Sequence, residues 1–164
     1  MTIMLKKVIV VVAIITSILF TGCASVRMAS KEADLALKNF AQPPSDKAGL
    51  YIYRNSWIGQ ALKKDIYLDS VLIGETANKV YFYKLISPGQ HTLSTESEFG
   101  ENGITFQADS GKNHFAEQYI KFGVFVGGAG IEMVDEEVGM KEVLDCSLAE
   151  PLLLAKGFLI LANR

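Results

Sequence analysis

Between Ala48 and Phe122 the sequence alternates short runs of branched and aromatic residues with turn residues, a cadence that restricts the chain to a β fold. "AGLYIYRN" reads as a strand with Leu50 and Ile52 facing one way and Tyr51 and Tyr53 the other. "KDIYLDSVLIGET" reads as two strands around a turn at Asp69-Ser70, a weaker hairpin pair than Asp-Gly. "KVYFYKLI" is a further strand, and "SPGQ" after it is the strongest turn in the chain. Pro88 presets the second turn position and Gly89 accepts a positive φ at the third. "HTLSTESE", "ITFQAD" and "HFAEQYIKFG" continue the pattern. Strands recurring every eight to twelve residues predict a mainly β domain, an antiparallel sandwich or barrel, with a β-sandwich of seven to eight strands the favoured expectation.

The flanks read differently. Ser30 can cap a short helix running to about Phe40, with Ala33, Ala36, Leu37 and Phe40 on one face, before Pro43-Pro44. After Phe122, "GVFVGGAGIEMV" predicts an irregular hairpin, and "DEEVGMKEVL" a short helix capped by Asp135, with Gly139 counting against it. The tail "LLLAKGFLILANR" is apolar but too short to span a bilayer, so it docks on the domain or lies at a membrane interface. The expected organisation is a signal segment over 1–22, a tether with a short helix over 23–47, the sandwich over 48–146 and an apolar tail over 147–164.

Lys6 and Lys7 precede an apolar stretch from Val8 to Phe20, broken only by Thr16 and Ser17 and closed by the small residues Thr21 and Gly22. That is the pattern of a secretory signal peptide, and the stretch falls short of the roughly 20 residues of a membrane span. Phe20-Thr21-Gly22-Cys23 resembles a bacterial lipobox, with Phe20 in place of the usual leucine. The resemblance implies that Cys23 is acylated and becomes the amino terminus after cleavage. Each buried methylene of such an anchor contributes about 0.8 kcal/mol, and two or more chains hold stably. Residue 24 is Ala rather than Asp, which by the same resemblance implies an outer-membrane lipoprotein facing the periplasm.

Charge narrows the partners. The chain carries a net charge of −2, and removing residues 1–22 takes away two of its 16 basic residues and none of its 18 acidic ones. Nucleic acid selects basic surfaces and is excluded on this ground. Two cysteines and two histidines are too few for a disulfide framework or a Cys/His zinc site, and no cofactor or metal is expected.

Tyr51-Ile52-Tyr53-Arg54, Asp65-Ile66-Tyr67-Leu68-Asp69, Ile73-Gly74, Tyr81-Phe82 and Pro88-Gly89-Gln90-His91 occur in this order. As a set they resemble a family of small bacterial lipoproteins classed as a domain of unknown function. The middle part also resembles the PEGA-type β-sandwich modules of bacterial envelope proteins. The resemblance covers Ala48 to Cys146 and implies a prealbumin-like or immunoglobulin-like sandwich without catalytic residues.

Candidate sites follow from single features. Tyr51, Tyr53, Tyr67, Tyr81 and Tyr83 can line a sugar or peptide groove, or can be the second, half-buried face of a sheet under the amino-terminal helix. Phe122, Val124, Phe125 and Val126 can form an exposed apolar patch for a partner or membrane. Glu96, Glu98, Glu101 and Asp109 can gather at one end of a sheet or lie singly on a solvated face. Cys146 is either a buried apolar thiol or, in an oxidising envelope, half of an intermolecular disulfide. The favoured expectation is a non-enzymatic, lipid-anchored envelope protein that binds a protein partner or envelope component, through a sheet edge or the hairpin after Phe122. A glycan- or peptide-binding module on the tyrosine face is the alternative, and a hydrolase using Cys146 or the acids is a remote one.

Overall fold

The computed structural model describes residues 25–96, 102–122 and 127–152. They form two sheets. Strands β1 (Ala48–Arg54), β4 (Val80–Ile86), β7 (Asn113–Lys121), β8 (Gly128–Val134) and β9 (Ser147–Leu148) make a five-stranded sheet in the order β8-β7-β1-β4-β9. Strands β2 (Lys64–Leu68), β3 (Val71–Thr76), β5 (Gly89–Thr95) and β6 (Asn102–Ala108) make a four-stranded sheet in the order β3-β2-β5-β6. The β-sandwich is the one expected, with two differences. The described residues hold nine strands rather than seven or eight, and the large sheet is mixed, because β1 runs parallel to β7 and β4 parallel to β9.

Alternation along β1 explains the layering. Leu50 and Ile52 join Ile66, Phe82, Leu93 and Ala116 in the core between the sheets. Tyr51 and Tyr53 point the other way and join Tyr81, Phe115, Val143 and Cys146 in a second core. All seven residues of β1 are buried, as befits a central strand with a parallel neighbour and cover on both faces. The cover on the outer face comes from helix α1 (Lys31–Leu37) and helix α2 (Glu136–Leu144).

Residues 25–47, expected as a tether with a short helix, contain that helix and pack it on the five-stranded sheet. Ser30 caps α1, its Oγ accepting from the Ala33 amide at 3.2 Å, and Phe40 ends the helical course at a φ of 50°. Asp34 Oδ1 accepts from the Leu148 amide at 2.9 Å, and Lys38 Nζ donates to the Cys146 carbonyl at 2.6 Å. The Ala29 amide donates to the Leu148 carbonyl at 2.9 Å, and Met28 bridges to Ala149. The boundary expected at Cys146 moves for the same reason, since Ser147 and Leu148 are an edge strand of the sandwich. The "GGAGIEMV" segment, expected to be irregular, supplies β8, paired in regular antiparallel register with β7. Asp135 occupies the N-cap position of α2, yet its side chain makes no capping bond.

Candidate functional site

Strand directions sort the loops into two ends. The loop between β1 and β2 (residues 55–63), the turn between β3 and β4 and the connection from β7 to β8 lie at one end. The turns at Asp69-Ser70, Ser87-Pro88 and 109–112 lie at the other.

Among the described residues, the second end holds the one arrangement that looks like chemistry. His91 Nδ1 lies 2.6 Å from Asp69 Oδ2, and Ser87 Oγ lies 3.5 Å from His91 Nε2, a Ser-His-Asp constellation. The hydrogen bonds show that it is not set up to activate a nucleophile. Nε2 lies 2.8 Å from the Ser87 carbonyl oxygen, which only accepts, so the ring must donate there and has no lone pair for the hydroxyl. Burial disfavours the imidazolium, but its bonds to Asp69 and the Ser87 carbonyl outweigh burial and raise the His91 pKa. Burial also works against the Asp69 carboxylate, and the Thr92 amide and His91 more than offset it, lowering the Asp69 pKa. This pair ties the β2–β3 turn to β5.

Cys146 is 1% exposed and unpaired. Burial first, and then the charge of Glu142, pushes its thiol up to about 12, so the nucleophilic thiolate is essentially absent at neutral pH. Of the four acids, the two described ones, Glu96 and Asp109, do not gather. Glu96, just after β5, pairs with Lys64 at 3.1 Å, whereas Asp109, just after β6, pairs with Lys112 at 3.0 Å. Those two positions follow antiparallel neighbours and so stand at opposite ends, while Glu98 and Glu101 lie outside the described residues. Among the described residues no group of His, Cys, Asp and Glu could hold a metal ion, and no helix is long and apolar enough to cross a membrane.

The tyrosines are not an open groove. Tyr51, Tyr53 and Tyr81 are 1%, 0% and 0% exposed. Tyr51 stacks on Phe115 at 4.9 Å and donates its hydroxyl to the Leu37 carbonyl at 2.9 Å, under α1. Burial raises the pKa of Tyr53, helped by the neighbouring Glu117 charge. Tyr67 belongs to the other sheet and points outward, its hydroxyl bonded to its own neighbour Asp65 at 2.9 Å. The residues expected to share a binding face are therefore divided between a closed core and a separate surface. The second, covered face of the sheet is what the alternation produces here.

The first end carries the unsatisfied apolar surface. Phe122 is 89% exposed and Trp57, in the 55–63 loop, is 78% exposed. They are the two most exposed large apolar side chains among the described residues. Phe125 lies outside the described residues. The Trp57 loop is pinned from several sides. Arg54, fully buried, donates from Nη2 to the Leu62 carbonyl at 2.6 Å. The Ser56 amide donates to Asn78 Oδ1 at 3.1 Å, and Asn55 Nδ2 donates to Glu142 Oε2 at 2.7 Å. Gly59, at a φ of 68°, sits so close to Ile120 of β7 that a Cβ there would come within 2.8 Å of it. Gly127 approaches Leu62 as closely, so the loop and the start of β8 interlock. Burial lowers the Arg54 pKa to about 10, and its Nε and Nη1 have no hydrogen-bond partner among the described residues. A buried guanidinium is costly to keep, and here it fixes the backbone from which Trp57 projects. Trp57 was absent from the sequence expectations, although it is the only tryptophan and sits in the polar connection "NSWIGQ" between two strands.

No solved structure matches the chain. An uncharacterized protein of Haemophilus influenzae (strain ATCC 51907 / DSM 11121 / KW20 / Rd) is 50% identical over 133 residues, which cover 81% of this chain and 79% of that protein. Residues 44–129, from the approach to β1 through the first residues of β8, match the family described as "Protein of unknown function (DUF2846)", and the chain belongs to that family.

Proposed function

We propose that this protein is a non-enzymatic, lipid-anchored protein of the bacterial envelope, held at the outer membrane by acylated Cys23. Its sandwich acts by binding an envelope component or protein partner through the end that carries Trp57 and Phe122. The observation that carries the reading is the exposure of these two aromatic side chains on a tightly held scaffold. Single exposed apolar side chains are ordinary, but two large aromatics on adjoining supports, the 55–63 loop and the end of β7 whose Ile120 lies against Gly59, make apolar surface of the kind that marks contact sites. Reactive groups give the opposite picture. The Cys146 thiol is buried and protonated, and the His91 ring is committed to Asp69 and a carbonyl.

Photo-crosslinking in intact cells tests the binding reading, with the probe placed in turn at Trp57, Phe122 and the outward control Gln107. A discrete adduct from Trp57 and Phe122, absent from Gln107, is the expected outcome. Equal labelling from all three positions sinks it. The anchor is tested separately, by the mass of the amino-terminal peptide and by loss of membrane fractionation in Cys23→Ser.

A further inference from the structure

We propose that the apolar run after Leu152 is a second membrane contact of the mature protein, lying in the bilayer surface beside the Cys23 acyl chains. This rests on the lipid-anchored reading above and does not involve Trp57 or Phe122. The described chain enters and leaves at one place. Ahead of α1, residues 27–29 run antiparallel to residues 148–150 at the edge of the five-stranded sheet. The Ala29 amide donates to the Leu148 carbonyl and the Glu150 amide to the Arg27 carbonyl, both at 2.9 Å, with Met28 bridged to Ala149 between them. Arg27 Nε adds an ion pair to Glu150 Oε2 at 2.7 Å. The same register, carried two residues outward, sets Ser25 opposite Leu152, and both line one small cleft with Lys63 and Glu75. Glu75 belongs to β3, the edge strand of the other sheet, so the cleft lies on the flank between the two sheet edges. Cys23 stands two residues before Ser25, and Leu154 two residues after Leu152. Chain length alone keeps each of them within about 7 Å of this flank. An anchor at Cys23 therefore brings the start of the run to the headgroups.

Residues 153–164, the tail expected either to dock on the domain or to lie at a membrane interface, are outside the described residues. Their composition favours the membrane. Eight of these twelve residues are Leu, Ile, Phe or Ala, and their only charges are Lys156 and Arg164, whereas all 18 acids of the chain lie before Pro151. Such a run is too short to span a bilayer and suits its surface, where apolar side chains reach the acyl boundary and basic ones meet anionic headgroups. The cleft is a poor seat for it, since its walls carry the Arg27–Glu150 ion pair and the Lys63–Glu75 pair at 3.4 Å. Alone, the run would hold a free protein on a membrane only weakly. The anchor makes its contact intramolecular, and at that effective concentration a weak contact persists. Two attachments leaving one flank hold that flank toward the bilayer, which a single flexible anchor does not.

Trp57 is the only tryptophan, so Trp57→Phe/Phe158→Trp places a lone reporter in the run. The mature lipidated protein is reconstituted into mixed vesicles of phosphatidylethanolamine and phosphatidylglycerol and isolated by flotation. Expected are a blue shift of emission relative to the unacylated Cys23→Ser form in buffer, and roughly twofold quenching by lipids brominated near the top of the acyl chain, about 5–10 Å into the headgroup boundary. The same response is expected in Trp57→Phe/Leu161→Trp, and none in Trp57→Phe/Gln107→Trp. Floating protein whose reporters at 158 and 161 stay as open to aqueous iodide as in buffer overturns the inference and leaves the anchor standing. So do reporters shielded from iodide yet untouched by brominated lipid, because the run then lies on protein. Protein that carries no acyl group on Cys23 and does not float overturns the anchor reading and the inference with it.

Discussion

At the scale of single residues, the groups that invite a catalytic reading are held by their neighbours in states that suit structure. Cys146 is 1% exposed with its thiol pushed up to about 12. Alkylation by iodoacetamide at pH 8 is therefore expected to leave Cys146 untouched in the folded protein and to label it fully in denaturant, as read by intact mass. His91 makes a prediction with a definite sign. Its pKa lies above the ordinary 6.5 when folded, so the stability it contributes is complete below about pH 6.5 and is lost as pH rises through the folded value. Asp69 is depressed below 3.8, so its share is present above that value and is lost as pH falls through the folded one. The increment is thus largest between roughly pH 4 and 6.5. The Asp69 side chain is 48% exposed, which limits the pair to no more than about 1 kcal/mol. In denaturant titrations His91→Asn should be less stable than the parent at pH 5.5 and should converge toward it by pH 9. The partners of His91 were not legible in the sequence. Asp69 and Ser87 are brought to it by two different turns, and only the folded hairpins define that meeting.

At the scale of elements, the strands from Ala48 to Lys121 were legible because β alternation and turn chemistry are local. Asp69 and Ser70 adopt φ values of 50° and 65°, the pair of positive angles that a two-residue hairpin turn demands. Serine pays for that conformation. Ser70→Gly should raise stability by up to about 1 kcal/mol in denaturant unfolding, because relief of a left-handed penalty of about 1–2 kcal/mol exceeds the added chain entropy of glycine, about 0.5–1 kcal/mol. Helix α2 teaches the reverse lesson. Gly139 counts against a helix by propensity, yet it sits inside α2 and is buried. A Cβ on Gly139 would lie 2.3 Å from Phe115, so the glycine is what lets the helix lie directly on β7. Gly139→Ala gains about 1 kcal/mol of helix propensity and meets an overpacking cost of about 1–3 kcal/mol, so a net loss is expected at equilibrium unfolding. Close approach between elements distant in sequence leaves no local signature, which is why propensity points the wrong way at this position. The same holds for β8 and β9. The glycine-rich "GGAG" acquires strand geometry from pairing with β7, and Ser147-Leu148 from the edge of β4.

For the whole molecule, the decisive fact is that the tyrosine face of the five-stranded sheet has a lid drawn from both flanks of the strand pattern. The alternation that makes Tyr51, Tyr53 and Tyr81 share a face was readable, and so was the amino-terminal helix with Leu37 and Phe40 as a cover; the share of Val143 and Cys146 was not, because they follow the strand pattern in a segment whose own pattern is short. The family match at 44–129 stops short of both α1 and α2. It therefore marks a recurring sequence that lacks both helices covering the second core. A fragment spanning 44–129 would uncover Tyr51, Tyr53, Tyr81 and Phe115, each 1% exposed or less in the whole domain. At about 1.5–3 kcal/mol for each large side chain, the loss is on the order of 6–12 kcal/mol, as large as the whole stability of an ordinary domain of about 5–15 kcal/mol. The fragment is expected to lack a cooperative thermal transition and to bind the dye ANS, whereas a chain from Ser25 through Leu152 should melt cooperatively without binding it. A cooperative transition in the 44–129 fragment would show that the second core is dispensable. Loss of the transition shows that both flanks, the 25–47 segment with α1 and the run from β8 through α2 to β9, belong to the folding unit, because the side chains that close the second core come from each of them.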